Sequence, residues 1–219
     1  MAISKVNFNS LNVTPTASKV LKFNSSNDGL EAGDVGGALV LISEQTASSS
    51  STISFTSGID STYKEYIFKF INIHPSADWS NWFAFQTSTN SGSSYGVTVT
   101  NTTFRPYNNE ADSQTGLSYL DSYDQAQNTD FIRLCEDTSA ANADENLSGE
   151  LKLFNPSSTT FVKHYLGRSQ TAVAKVGQVY SADWHGGGYF NTTSAIDAVQ
   201  FKFNSGNIDS GTIKMYGVT

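Results

Sequence analysis

From Gly36 to the C-terminus the apolar residues of this chain recur at every second position, and no stretch sustains the 3.6-residue period of an amphipathic helix. No other property restricts the fold as much. The plainest case is Tyr63–Ile73, YKEYIFKFINI. Tyr66, Phe68 and Phe70 share one side of the extended chain, and Lys69 shares the other with Ile67 and Ile71. In NWFAFQTS, residues 81–88, Phe83 and Phe85 oppose Trp82, Ala84 and Gln86, and Trp82 is expected in the core. Further strands are expected in ALVLIS (Ala38–Ser43), around Ile53 and Phe55, and in SYGVTVTNT, TDFIRLCE, LSGELKLFN, TTFVKHYLG, DAVQFKFNS and GTIKMYGV. Turn signals such as TNSGSS, NPSS and NSGNIDSG separate them. The best helical candidate is the short segment Asp121–Asn128.

Roughly eight to ten short strands divided by such turns predict an all-β chain, a jelly-roll-like antiparallel β-sandwich. No fixed-period repeat points to a propeller. Residues 1–35 are different. They hold isolated apolar residues, a Thr-Pro and an Asp-Gly turn signal, with too few apolar groups for a core. One or two short strands fit there, such as Lys19–Phe23. The expected organisation is an extended N-terminal arm or anchor over residues 1–35 and a β-sandwich over 36–219. A disordered tail is the competing reading of the arm.

Composition excludes several partners. Charged residues are 15% of the chain and aromatic ones 12%, so the polarity of a folded chain comes from Ser, Thr and Asn. The net charge is -7, and the 13 Lys and Arg are scattered singly. That disfavours nucleic acid and anionic membrane surfaces. MAISKVNFNS lacks the apolar core of a secretion signal, and no apolar run reaches membrane-spanning length. The expectation is a soluble chain made in a cytoplasm. Cys135 is the only cysteine, which rules out an intrachain disulfide. Alternation in FIRLCED sets it on one side with Phe131 and Arg133, as a packed thiol.

No catalytic constellation emerges. His74, His164 and His185 are too far apart in sequence for a zinc motif, and no Gly-x-Ser-x-Gly elbow occurs. The acids concentrate in DSYDQAQNTD and EDTSAANADENLSGE, which read as solvated loops. NADEN (142–146) and NIDSG (207–211) supply hard oxygens for a surface Ca²⁺ without matching an EF-hand. No cofactor and no resident metal are expected.

The run Gly186–Gly188 leads into YFNTTS and not into a helix, so it reads as a close-approach loop between strands and not as a phosphate cradle. A second reading makes Trp184, His185 and Tyr189 an exposed aromatic shelf for a sugar. Trp79, in a polar loop, is either an anchor or a further ligand contact. Trp79, Trp184, His185 and Tyr189 are thus the candidate ligand-binding residues.

Four stretches resemble a family of phage virion structural proteins, found especially in phages of marine cyanobacteria and their relatives. They are STISFTSGIDSTYKEYIFKFINIHPSAD (Ser51–Asp78), YNNEADSQTGLSYL (Tyr107–Leu120), LFNPSSTTFVKHYLG (Leu153–Gly167) and GGYFNTTSAIDAVQFKFNSGNIDSGTIKMYGV (Gly187–Val218). The resemblance runs from about Ala38 to the C-terminus. It implies a β-sandwich displayed on a virion assembled in a host bacterial cytoplasm, as a tail or head fibre, knob or capsid decoration subunit. It implies an N-terminal docking segment and no catalytic residue. Other phage structural proteins are the expected partners, with a homotrimer and contact with a host-surface glycan. A carbohydrate-binding β-sandwich module and a spike-type hydrolase are the alternatives kept open.

Overall fold

The computed structural model describes residues 19–26, 28–34, 38–78, 81–136, 138, 140, 142–175 and 178–219. They form fifteen strands: β1 Lys19–Phe23, β2 Leu30–Asp34, β3 Leu39–Thr46, β4 Ile53–Phe55, β5 Glu65–Pro75, β6 Phe83–Ser88, β7 Val99–Asn109, β8 Thr115–Tyr119, β9 Gln125–Asn128, β10 Ile132–Arg133, β11 Asn146–Phe154, β12 Lys163–Lys175, β13 Gln178–Phe190, β14 Ala198–Phe203 and β15 Ile208–Val218. Leu39–Val218 is one compact unit, and the β1–β2 hairpin belongs to another. Most of the expected arm, residues 1–18, lies outside the described residues.

The hairpin is antiparallel, from Lys19 opposite Asp34 to Phe23 opposite Leu30. Its turn is closed locally: the Asn24 amide donates to the Gly29 carbonyl at 3.0 Å, and the Asn24 side chain both donates to Asp28 Oδ1 and accepts from the Asp28 amide. This is the Asx chemistry that makes Asn and Asp turn residues. All five residues of β1 are exposed, Val20, Leu21 and Phe23 among them.

The larger unit is the all-β antiparallel sandwich that the alternation predicts, with unequal sheets. Nine strands form one sheet in the order β3-β15-β5-β11-β12-β13-β7-β8, with β9 also paired to β7, and four form the other in the order β10-β6-β14-β4. The two inner faces share one core. Tyr66, Phe68 and Phe70 of β5 turn inward and are at most 2% exposed. Phe83 and Phe85 of β6 and Phe201 and Phe203 of β14 meet them from the smaller sheet.

Phe201 is the hub. Its ring centroid lies 5.3 Å from Phe70, 5.5 Å from Phe68, 5.8 Å from Phe83 and 6.3 Å from both Phe55 and Phe85. Only the Phe83 contact is stacked; the others are edge-on or tilted, the arrangement that ring quadrupoles favour.

Four expectations are corrected. Asp121–Asn128 is not a helix: Asp121–Tyr123 make one 3-10 turn, and Gln125–Asn128 pair with β7. Sheet pairing there outweighs a weak helical preference. Trp82 is half-buried and outside the core, because the strand turns it away from Phe83, and Arg133 lies 4.8 Å above its ring. Glu145 is 4% exposed and hydrogen-bonded by the Asn142 side chain, so that acidic segment is not wholly a solvated loop.

The fourth concerns TDFIRLCE, which supplies only the two-residue β10. The Leu134 and Cys135 amides both turn to the Phe83 carbonyl, and alternation ends there. Cys135 is packed in the core and fully buried. Native protein should therefore leave its thiol unmodified by Ellman's reagent until denaturant is added. Rapid stoichiometric labelling of the native chain would refute that packing.

Candidate functional site

The glycine-rich segment is not a loop. Gly186, Gly187 and Gly188 lie inside β13, paired to β7 on one side and to β12 on the other. Alternation then sorts the candidate residues. Ala182, Trp184 and Phe190 face the core, while His185, Gly187 and Tyr189 face outward.

Trp184 is 1% exposed and cannot belong to a shelf. Its indole is held in an inner layer of alternating rings and guanidinium groups. Arg105 Cζ lies 4.6 Å from the Trp184 ring centroid and 5.3 Å from that of Tyr107. The Tyr123 ring is 6.4 Å from Trp184, and Arg133 Cζ is 4.3 Å from Tyr123. The side chain of Glu136 accepts from Tyr123 and pairs with Arg133 at 3.3 Å. This cation–π packing makes Trp184 structural. Trp79 lies outside the described residues.

His185 and Tyr189 remain on the outer face of the nine-stranded sheet, with Gly187 between them. Register shows what surrounds this glycine. Thr102 stands opposite it on β7 and Leu166 opposite it on β12. The four neighbours stand up from the sheet and Gly187 does not, so the surface dips there. The dip has a volume of about 350 Å³, within the range of small-molecule sites. It extends to Phe104, Glu150, Lys152 and Arg168. Sequence reasoning missed these four, because three other strands bring them to β13.

One row crosses the sheet in register: Phe104 (β7), His185 (β13), Arg168 (β12), Glu150 (β11), Lys69 (β5), Lys214 (β15) and Glu44 (β3). The Phe104 and His185 rings stack at 4.8 Å, nearly parallel at 5°. Arg168 donates from Nε and an Nη to the two Asp183 oxygens at 2.9 and 2.7 Å. His185 Nε2 lies 3.1 Å from the same carboxylate. The Arg168 hydrogen bond, and less strongly His185, holds the Asp183 carboxyl below the usual carboxylate range, while its partial burial pulls the other way. The fork therefore loses its anionic half only as pH falls through that lowered value.

Glu150 pairs with Lys152 at 3.2 Å and with Lys69 at 3.9 Å, and Lys214 pairs with Glu44 at 3.1 Å. Such exposed pairs each contribute at most about 1 kcal/mol to stability.

Among the described residues no cluster of three or more His, Cys, Asp and Glu is arranged to hold a metal ion. Ile208 of the NIDSG segment is buried at the start of β15, and the Asp209 carbonyl accepts from the Ser49 amide. His74 Nε2 lies 3.4 Å from the Asn142 carbonyl, and His164 is near Tyr189 at 6.3 Å between rings. No protein-family model matches the chain, and no curated protein matches it. The class that the strands themselves define is an all-β antiparallel sandwich.

Proposed function

We propose that this chain is a non-enzymatic phage virion structural protein: a tail or head fibre, knob or capsid decoration subunit, docked through its N-terminal segment, with the sandwich displayed. The observation that carries the reading is the β1 strand. Val20, Leu21 and Phe23 are 40%, 42% and 69% exposed on a hairpin that forms a unit apart from the sandwich core. Three exposed apolar side chains on five residues are costly in water and are expected where a partner covers them. The four stretches that resemble virion proteins all fall within Leu39–Val218, so the resemblance rests on the sandwich and not on the hairpin.

The experiment replaces Leu21 and Phe23 with aspartate in the full chain and measures incorporation into particles. The expected result is a chain that melts like the parent and is absent from purified virions. Normal incorporation of the double variant would end the docking proposal.

A second reading, a carbohydrate-binding β-sandwich module, is favoured by the outward aromatic pair Phe104–His185 beside Gly187. The two readings are compatible, since a displayed module can carry a sugar site.

A further inference from the structure

The dip over Gly187 combines three features that one kind of ligand uses together. The first is an apolar wall. The Phe104 and His185 rings stack face to face, so the pair presents its ring edges and one outer face at a time, and Phe104 is 44% exposed. The second is a floor without a side chain, rimmed by Leu166, which is 55% exposed. The third is a mixed edge: Glu150 accepts hydrogen bonds, while Lys152 and Arg168 donate them.

Charge decides between occupants. Arg168 is engaged in a two-point fork with Asp183, and Lys152 lies against Glu150. The cations are compensated where they stand, which is a poor match for a phosphate or another strong anion. A peptide added as an extra strand needs an open edge. The lining strands β7, β13, β12 and β11 are each paired on both sides. What remains is a neutral ligand with one apolar face and many hydroxyl groups at its perimeter.

We propose that this dip is a saccharide site taking one neutral hexopyranose ring of a longer glycan. The apolar C–H side of the ring packs against the Phe104–His185 pair, and its hydroxyls hydrogen-bond to Glu150, Lys152 and Arg168. The inference rests on the carbohydrate-binding reading and gives it a site, a ring class and an orientation. Gly187 is a specificity-determining position: any side chain there occupies the volume the ring needs. A Cβ at Gly187 would lie 3.1 Å from Leu166 Cδ2, the far end of an exposed flexible side chain, so the protein can accept the substitution where the ligand cannot.

The test uses the full chain on an array printed with neutral hexose oligosaccharides, beside uronate-bearing and phosphorylated ones. The expected result is binding to a subset of the neutral glycans. Gly187→Val should abolish it, and Phe104→Ala should weaken it by at least about tenfold. Phe161→Ala, a 68% exposed ring that lines no part of the dip, should leave it unchanged. Thermal melting checks folding, and if Gly187→Val unfolds, Phe104→Ala decides. The proposal is overturned if the parent binds no neutral glycan, if it binds only the phosphorylated ones, or if binding survives in folded Gly187→Val or in Phe104→Ala. Particle incorporation of Gly187→Val is read in parallel. A normal level there alongside lost glycan binding supports the site, and a failure of the site leaves the docking of the hairpin untouched.

Discussion

Phe201→Ala should destabilise the sandwich by about 3–5 kcal/mol, the cost of deleting a fully buried phenyl ring whose neighbours cannot collapse into the space. The expectation follows from position more than from size. Phe201 is 0% exposed, and its ring meets five others drawn from both sheets: Phe68 and Phe70 from the nine-stranded sheet, Phe55, Phe83 and Phe85 from the four-stranded one. Removing it leaves a cavity between the two layers where these rings meet. The surrounding rings are anchored on strands with paired backbones, so they cannot move inward by more than a fraction of the void. For a domain of this size the melting temperature should fall by roughly 6–20 °C. Phe201→Leu retains much of the volume and should lose less than half as much. Chemical denaturation with both variants checks the ranking. Equal midpoints for the parent and Phe201→Ala would mean that the aromatic cluster does not hold the sheets together.

The three consecutive glycines of β13 should respond to alanine in three different ways. At Gly188 a Cβ would lie 2.4 Å from the Thr100 carbonyl oxygen, 2.7 Å from Asn101 Cβ and 2.9 Å from Asn101 Cα. Two of these are backbone atoms of β7, so the strands themselves must part. Gly188→Ala should therefore cost about 1–3 kcal/mol or more, the range of overpacked cores. At Gly186 the nearest atoms, Thr103 Oγ1 and the Thr102 carbonyl oxygen, are at 3.5 and 3.8 Å, ordinary contact. There the substitution removes backbone freedom from the unfolded chain and should be neutral or stabilising by up to about 1 kcal/mol. Gly187→Ala should be close to neutral, because only the exposed Leu166 side chain must yield. Melting curves for the three variants settle the order. If Gly188→Ala is as stable as Gly186→Ala, the close approach of β13 to β7 is wrong.

Individual strands are legible in the sequence and the sheet as a whole is not, and the difference has a physical cause. Period-2 alternation is a local property of an extended backbone. Tyr66, Phe68 and Phe70 had to share a face, and Lys69 the other, whatever strand lay beside them. The β1–β2 turn was equally local, since Asn24, Asp28 and Gly29 close it among themselves. The β13 segment defeated the same logic. Its inward positions after Trp184 are Gly186 and Gly188, which carry no side chain, so the apolar signal is missing where the backbone packs most closely. The recoverable trace was Ala182, Trp184 and Phe190 at even spacing, which would have turned Trp184 inward and His185 outward.

By itself, then, the sequence determined an all-β chain and the inward faces of its main strands, because each rests on residues a few positions apart. Only the tertiary structure decided which face of β13 is covered, and that Phe104, His185, Arg168 and Glu150 stand in one row around Gly187. Those residues come from four strands, and their meeting depends on strand order and register. These are set by the packing of the whole sheet, and no segment carries them alone.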